Sequence, residues 1–239
     1  MTNPKLAEGI SNAKIISLII ETSTERAIVG IIADDAVLYE ELLSFGYMSS
    51  QELIPHIAKA FKDLSLSPKQ LSYISVGVGP GSYTGMRIGA VVAKCLAYAC
   101  QTPLLGVGSL MSFIPDREGL FLAAIDAKIG GVYLIKGRQE NGRVTYLSPP
   151  ELCPLNAMQE KLQGISHIVT PNSLQLRPKL EALFPHMPVM WMEKNPDLMH
   201  LHRQSQAAYQ LKNYALDAQL ELLYMRKTQA EIEKEQRPK

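Results

Sequence analysis

The stretch Val76-Gly77-Val78-Gly79-Pro80-Gly81-Ser82-Tyr83-Thr84-Gly85-Met86-Arg87-Ile88-Gly89 decides the reading of this chain. The apolar run 73–78 reads as a buried strand. Gly79-Pro80-Gly81 reads as a sharp turn, and a helix follows from about residue 83 to 99, with Ser82 or Thr84 placed to cap it. Glycines at a strand–helix junction let a ligand or a second backbone come close, and a helix N-terminus there could hold an anion. The same joint is also the ordinary connection of an α/β fold. Two nucleotide motifs are excluded by spacing. No Gly-Lys-Ser/Thr triplet follows, so this is not a P-loop. Gly77-x-Gly79 meets Ser82 where the third glycine of a dinucleotide fingerprint would stand.

Gly85, Gly89, Ala93 and Ala97 recur every four residues and form one small-residue stripe on the helix. An interior glycine costs a helix about 1 kcal/mol against alanine, so something should approach the stripe closely. The expected occupant is another helix, in the same domain or on another subunit. We take the stripe as a subunit interface, with the helix near 50–64 as the second element of that surface.

Composition sets the outer bounds. The 239 residues hold one large or two small domains, with 46% hydrophobic and 20% charged residues. A formal net charge of +1 gives no global signal for nucleic acid or a membrane. Cys95, Cys100 and Cys153 form no CxxC, as expected of a reduced cytoplasmic chain. No apolar run approaches the roughly 20 residues of a membrane span. Residues 1–14 lack the apolar region of a signal peptide, and 227–239 are dense in charge. Both ends are expected to be flexible.

Strands are predicted at 15–21, 26–33 and 37–43, joined by short turns at Thr22-Ser23-Thr24-Glu25 and Asp34-Asp35. A helix at 50–64 follows, with Leu53, Ile57, Ala60, Phe61 and Leu64 on its apolar face. Then come the glycine-motif strand and helix and a strand at 103–107. The order βββ-α-β-α-β is that of the ribonuclease-H-like core shared by sugar kinases, actin and heat-shock chaperones. That is an analogy of fold and carries no function by itself. A boundary falls near 108. A second set of strands is predicted at 120–126, 132–136 and 144–147, with Asn141-Gly142 as a hairpin turn. A helix at 158–162, a strand at 167–170, a helix at 174–184, a strand at 189–192 and a helix at 205–216 complete the chain. The expected architecture is an actin-like α/β fold of two tandem βββαβα-type lobes. The first spans 15–108. The second, 109–226, is smaller and degraded, with its last helices placed to return to the first lobe.

Several stretches together resemble the bacterial TsaB (YeaZ) family, subunits of the machinery that makes threonylcarbamoyladenosine in tRNA. They are Ile19-Ile20-Glu21-Thr22-Ser23-Thr24, Gln51-Glu52-Leu53-Ile54-Pro55, the segment from Gly79 to Gly89, Pro103-Leu104-Leu105-Gly106-Val107, Asp126-Ala127-Lys128-x-Gly130-x-Val132-Tyr133 and Tyr224-Met225-Arg226. The chain departs from the family at Glu21, where Asp is usual, and at Lys128 and Gly131, where Arg and Glu are frequent. The resemblance implies a non-catalytic paralogue of TsaD. Its partners would be a TsaD-type catalytic subunit, a TsaE-type ATPase, a second copy of itself when the partner is missing, and tRNA through the complex. TsaD-type chains carry a His-x-x-x-His metal pair. The matching positions here are Ser109 and Phe113, so no metal site is expected. Any ATP, ADP or metal is expected on partner subunits. If the chain touches a cofactor at all, the superfamily resemblance points to Glu21, Ser23, Gly79, Gly81 and Ser82.

No catalytic set emerges from the residues themselves. Ser82 reads as a helix cap and Asp126 as a turn-stabilising side chain, and His56, His167, His186, His200 and His202 form no metal pair. Arg87 is expected to bond a carboxylate or backbone carbonyl near the first strands, with phosphate binding as the alternative. Two other readings stand beside this one. A glycoprotease-like metallopeptidase would need a ligand set. An independent nucleotide-dependent phosphotransferase would need Glu21 or Asp126 at the cleft.

Overall fold

The computed structural model describes residues 13–46, 49–128, 131–214 and 219–226. The expectations for the first twelve residues and for 227–239 lie outside the described residues. The chain forms two mixed sheets, each covered by helices. In the first sheet, β1 (Ile16–Glu21), β2 (Ile28–Ala33) and β3 (Ala36–Leu42) are an antiparallel meander. β4 (Tyr73–Gly77) and β5 (Leu104–Val107) add in parallel, giving the order β3-β2-β1-β4-β5.

Every residue of β1, β2 and β4 is buried, so both faces of this sheet must be covered. Helices α1 (Ser49–Asp63) and α2 (Tyr83–Cys100) cover one face, packing Leu53, Ile57, Ala60, Phe61, Ala93 and Ala97 on Leu18, Ile20, Val29, Ile74 and Val76. The leucine, isoleucine, valine and phenylalanine side chains among these contribute roughly 1.5–3 kcal/mol each when fully buried. The Glu52 carboxylate in the first turn of α1 accepts hydrogen bonds from the Ser44 N–H and hydroxyl, both at 2.7 Å, which hold it below the usual carboxylate range.

Ser82 caps α2 by accepting from the Gly85 N–H at 3.2 Å, and Gln101 ends the helix in the left-handed region at φ 53°. The stripe is turned inward, which corrects the assignment of Gly85, Gly89, Ala93 and Ala97 to a subunit interface. A Cβ on Gly85 would lie 2.0 Å from the Thr22 carbonyl oxygen. One on Gly89 would lie 2.3 Å from Thr22 Oγ1 and 3.3 Å from Val76. Ala93 and Ala97 belong to the core of the same lobe. The spacing reports a close approach correctly, but what approaches is the chain's own first strand and turn.

The second sheet has the order β11-β10-β6-β7-β8, with β9 also on β7. β6 (Gly119–Asp126) and β7 (Gly131–Glu140) pair antiparallel from Gly119↔Gln139 to Asp126↔Val132. β8 (Arg143–Tyr146) follows the Asn141-Gly142 turn, both residues at positive φ, and β9 (Glu151–Pro154) pairs with β7. After the short α3 (Met158–Lys161), β10 (His167–Thr170) and β11 (Met190–Glu193) join in parallel around α4 (Ser173–Leu183). The short β9, with its proline, gives no alternation to detect and was not predicted.

The last helix among the described residues, α5, runs Leu198–Gln210 rather than 205–216, of which 215 and 216 lie outside the described residues. Its start is set by Asp197, whose carboxylate accepts from the His200 N–H at 2.7 Å. α5 packs on the outer face of the first sheet, where Leu198 and Leu201 meet Ile19, Ile28, Ile32 and Leu105.

Candidate functional site

A cavity of about 440 Å³ opens between the two lobes. Its walls are the turn after β1, the first turn of α2, the end of β6 and residues Leu223–Arg226. Of the five expected cofactor positions, Ser23, Gly81 and Ser82 line this cleft, and Glu21 and Gly79 sit behind it.

Glu21 is fully buried. Its Oε1 accepts from the Ser23 N–H at 2.6 Å, and Oε2 has no hydrogen-bond partner among the described residues. The carboxyl lies over Gly77, where a Cβ would fall 1.9 Å from Oε2. Burial pushes its pKa up, against smaller downward pulls from the Ser23 and Ser109 hydrogen bonds. The carboxyl is thus held against the end of β4, outside the cleft lining.

The glycine loop is engaged with protein groups. The Gly79 N–H donates to Ser109 Oγ at 3.0 Å, and the Ser109 N–H returns a bond to the Gly79 carbonyl at 2.9 Å. The Ser82 N–H donates to the Ser23 carbonyl at 2.6 Å, over Gly81, whose own Cβ would lie 2.3 Å from that oxygen. The Gly85 N–H is taken by Ser82. Three of the amides that would cradle a phosphate are thus committed to the protein.

Asp126 is a turn residue, as expected. Oδ1 accepts from the Lys128 N–H at 3.0 Å, and Oδ2 pairs with Lys179 Nζ at 2.7 Å. Arg87 departs from expectation. Its guanidinium stacks 3.9 Å from the Tyr83 ring centroid, its Nε–H donates to the Tyr224 hydroxyl at 3.0 Å, and a further N–H reaches the Tyr83 hydroxyl. Tyr224 lies 137 positions from Arg87, too far for a local pattern to pair the two.

Ser109 and Phe113 are fully buried. Ser109 is the reciprocal partner of Gly79, and Phe113 packs in the core of the second lobe. Among the described residues, no group of three or more His, Cys, Asp or Glu side chains could hold a metal ion. His200 and His202 serve different neighbours. His200 Nε2 lies 2.9 Å from the Tyr146 hydroxyl, and His202 Nδ1 lies 3.0 Å from both Ser17 Oγ and the Tyr73 hydroxyl. Tyr146 donates to the Met111 carbonyl, so His200 donates through Nε2.

A family model described as TsaD, tRNA N6-adenosine threonylcarbamoyltransferase, matches residues 48–173, just over half of the chain. The tRNA threonylcarbamoyladenosine biosynthesis protein TsaB of Bacillus subtilis is 31% identical over 137 residues, covering 56% of this chain and 60% of its own. The Escherichia coli TsaB protein is 34% identical over 132 residues, covering 52% and 56%. The chain belongs to the family that this model describes, and the curated relatives it resembles are TsaB proteins. The matched stretch spans only about 60% of the Bacillus subtilis relative's length. YeaZ from Pseudomonas aeruginosa superposes with a TM-score of 0.75 at 20% identity, covering 88% of this chain and 99% of that one. A further Pseudomonas aeruginosa structure, described as similar to the peptidase YeaZ, gives a TM-score of 0.71. Both share the two-lobed fold. Among the described residues no helix is long and apolar enough to cross a membrane.

Proposed function

We propose that this chain is a non-catalytic subunit of a cytoplasmic threonylcarbamoyladenosine-forming complex. It holds a TsaD-type partner that transfers threonylcarbamoyl to an adenosine beside the tRNA anticodon. The carrying observation is the fate of Ser109 and Phe113, which the resemblance matches to the metal-binding histidine pair of TsaD-type chains. Both are fully buried, one bracing the glycine loop and the other filling the core. Glu21 is turned under β4 and Asp126 is ion-paired, which also speaks against an independent phosphotransferase. On this reading the chain carries no nucleotide or metal of its own, and a TsaE-type ATPase and the tRNA join through the complex.

With the small stripe turned inward, the partner surface moves to the opposite side of α2. Val91 and Tyr98 are 59% and 81% exposed there, and Ile54 on α1 is 62% exposed. Large apolar side chains left in water mark contact surfaces. The same face would serve a homodimer when the partner is absent.

Co-expression with a tagged TsaD-type chain tests the reading. A stoichiometric complex should be recovered, and threonylcarbamoyladenosine should form in tRNA only when both chains are present. Formation by the TsaD-type chain alone at an undiminished rate would overturn it. About one bound transition metal per isolated chain would favour the metallopeptidase reading instead.

A further inference from the structure

The family-like stretches Asp126-Ala127-Lys128 and Tyr224-Met225-Arg226 are nearly a hundred residues apart, and the fold brings them together at the mouth of the cleft. Residues 219–226 have no helix or ladder of their own. They are held by a series of contacts that changes lobe along the way. Leu220 packs into the core of the first lobe, close to Gly106 of β5. The Leu223 N–H donates to the Val78 carbonyl at 2.8 Å, just beyond the end of β4. The Tyr224 ring lies 4.8 Å from the Tyr83 ring, and its hydroxyl accepts from Arg87, both on α2. Met225 then packs against the core of the second lobe. The Arg226 guanidinium donates to the Ala127 carbonyl at 3.2 Å, just beyond the end of β6.

We infer that Gln219–Arg226 is a strap that limits how far the two lobes open, with Tyr224 and Arg226 as its anchors. The limit is one of chain length. Arg226 lies three positions after Leu223, and an extended chain spans at most about 3.3–3.6 Å per residue. With one end on Val78 and the other on Ala127, the cleft cannot widen by more than the slack of that short segment and one arginine side chain. Wider opening requires an anchor to release. The tyrosine–arginine stack makes the first-lobe anchor the stronger of the two, because it combines stacking, a hydrogen bond to a charged donor and a backbone bond. The second-lobe anchor is one hydrogen bond from Arg226 together with the packing of Met225. The cleft thus has a built-in stop, set by residues that local patterns do not connect.

Hydrogen exchange followed by mass spectrometry on the full chain reads this directly. Tyr224→Ala removes an anchor that touches only the first lobe. It should nevertheless raise exchange several-fold in peptides covering 123–128, on the second lobe, as well as in 76–79. Tyr224→Phe keeps the stack and loses the hydroxyl, and should fall between. Arg226→Ala removes the second-lobe anchor and should raise exchange at 222–224 and 76–79, across the cleft from the substitution. An increase confined to 219–226 in either alanine variant would mean a passive tail and overturn the strap. If Tyr224→Ala fails to fold, Arg226→Ala decides alone: exchange at 76–79 equal to the unsubstituted chain overturns the proposal.

Discussion

Replacing Gly85 with alanine separates the inward-facing stripe from every alternative by the sign of the effect. In an unconstrained helix interior the change stabilises by about 1 kcal/mol. Here the new Cβ would sit 2.0 Å from the Thr22 carbonyl oxygen and 3.2 Å from its carbon. Both are backbone atoms, so no side chain can swing aside. The helix cannot retreat freely either, because the Gly85 carbonyl accepts from Thr22 Oγ1 at 2.8 Å. Overpacking of this kind costs about 1–3 kcal/mol, and losing the hydrogen bond adds about 1 kcal/mol. After the propensity gain, the net expectation is a destabilisation of about 1–3 kcal/mol. At this chain length 1 kcal/mol moves the midpoint by roughly 2–4 °C, so Tm should fall by about 4–8 °C for a mid-range loss of about 2 kcal/mol. Differential scanning calorimetry with urea titration at constant m-value is the assay. Val91→Ala, on the exposed side of the same helix, is the control and should leave Tm nearly unchanged. A Gly85→Ala protein that melts at or above the parent would refute the packing argument. Gly89→Leu, which directs a larger side chain at Thr22, Val76 and Ile20, should lose its cooperative melt.

Glu21→Gln should be stabilising at pH 8 and progressively less so toward pH 4.5, read by urea titration at each pH. The buried carboxyl has its pKa raised above 4.5, so it favours the folded chain only while protonated, and that contribution is lost as pH rises through the folded value. A flat difference across this range would count against the buried, raised carboxyl. His200 and His202 act in the opposite sense, since burial lowers both pKa values below 6.5. Their protonation favours the unfolded chain, so Tm should drop as pH falls below about 6.5, more steeply in the Glu21→Gln background than the His202→Gln variant shows in that same background; equal slopes would remove His202 from the account. Tyr98→Asp should leave Tm within a degree or two of the parent and weaken recovery of the TsaD-type partner at least about tenfold, the scale of losing one apolar anchor at an interface. Undiminished pull-down would place the contact elsewhere.

Much of this molecule is local and therefore legible in the chain. Short-range periodicity marks β1, β2 and β4 as buried strands and gives α1 the face Leu53, Ile57, Ala60 and Phe61, because backbone geometry alone decides which neighbours share a side. The Asn141-Gly142 turn is legible for the same reason, since both residues must take positive φ. Asp197 was a readable cap that an apolar-periodicity argument passed over, and the helix it starts was placed several residues late. The family resemblance was carried by residues 79–89 and their companions before any coordinates. Three matters belonged to the tertiary structure alone. The stripe on α2 announced a close neighbour, but only the fold showed that the neighbour is Thr22 and not another subunit. The position of the Glu21 carboxyl against Gly77 is likewise set by the fold. Arg87, Tyr83, Tyr224, Arg226 and Ala127 meet because two lobes and a returning chain end converge on one cleft. Contacts of that kind cost loop-closure entropy to form and leave no periodic trace, since nothing in the local backbone depends on which distant residue will arrive.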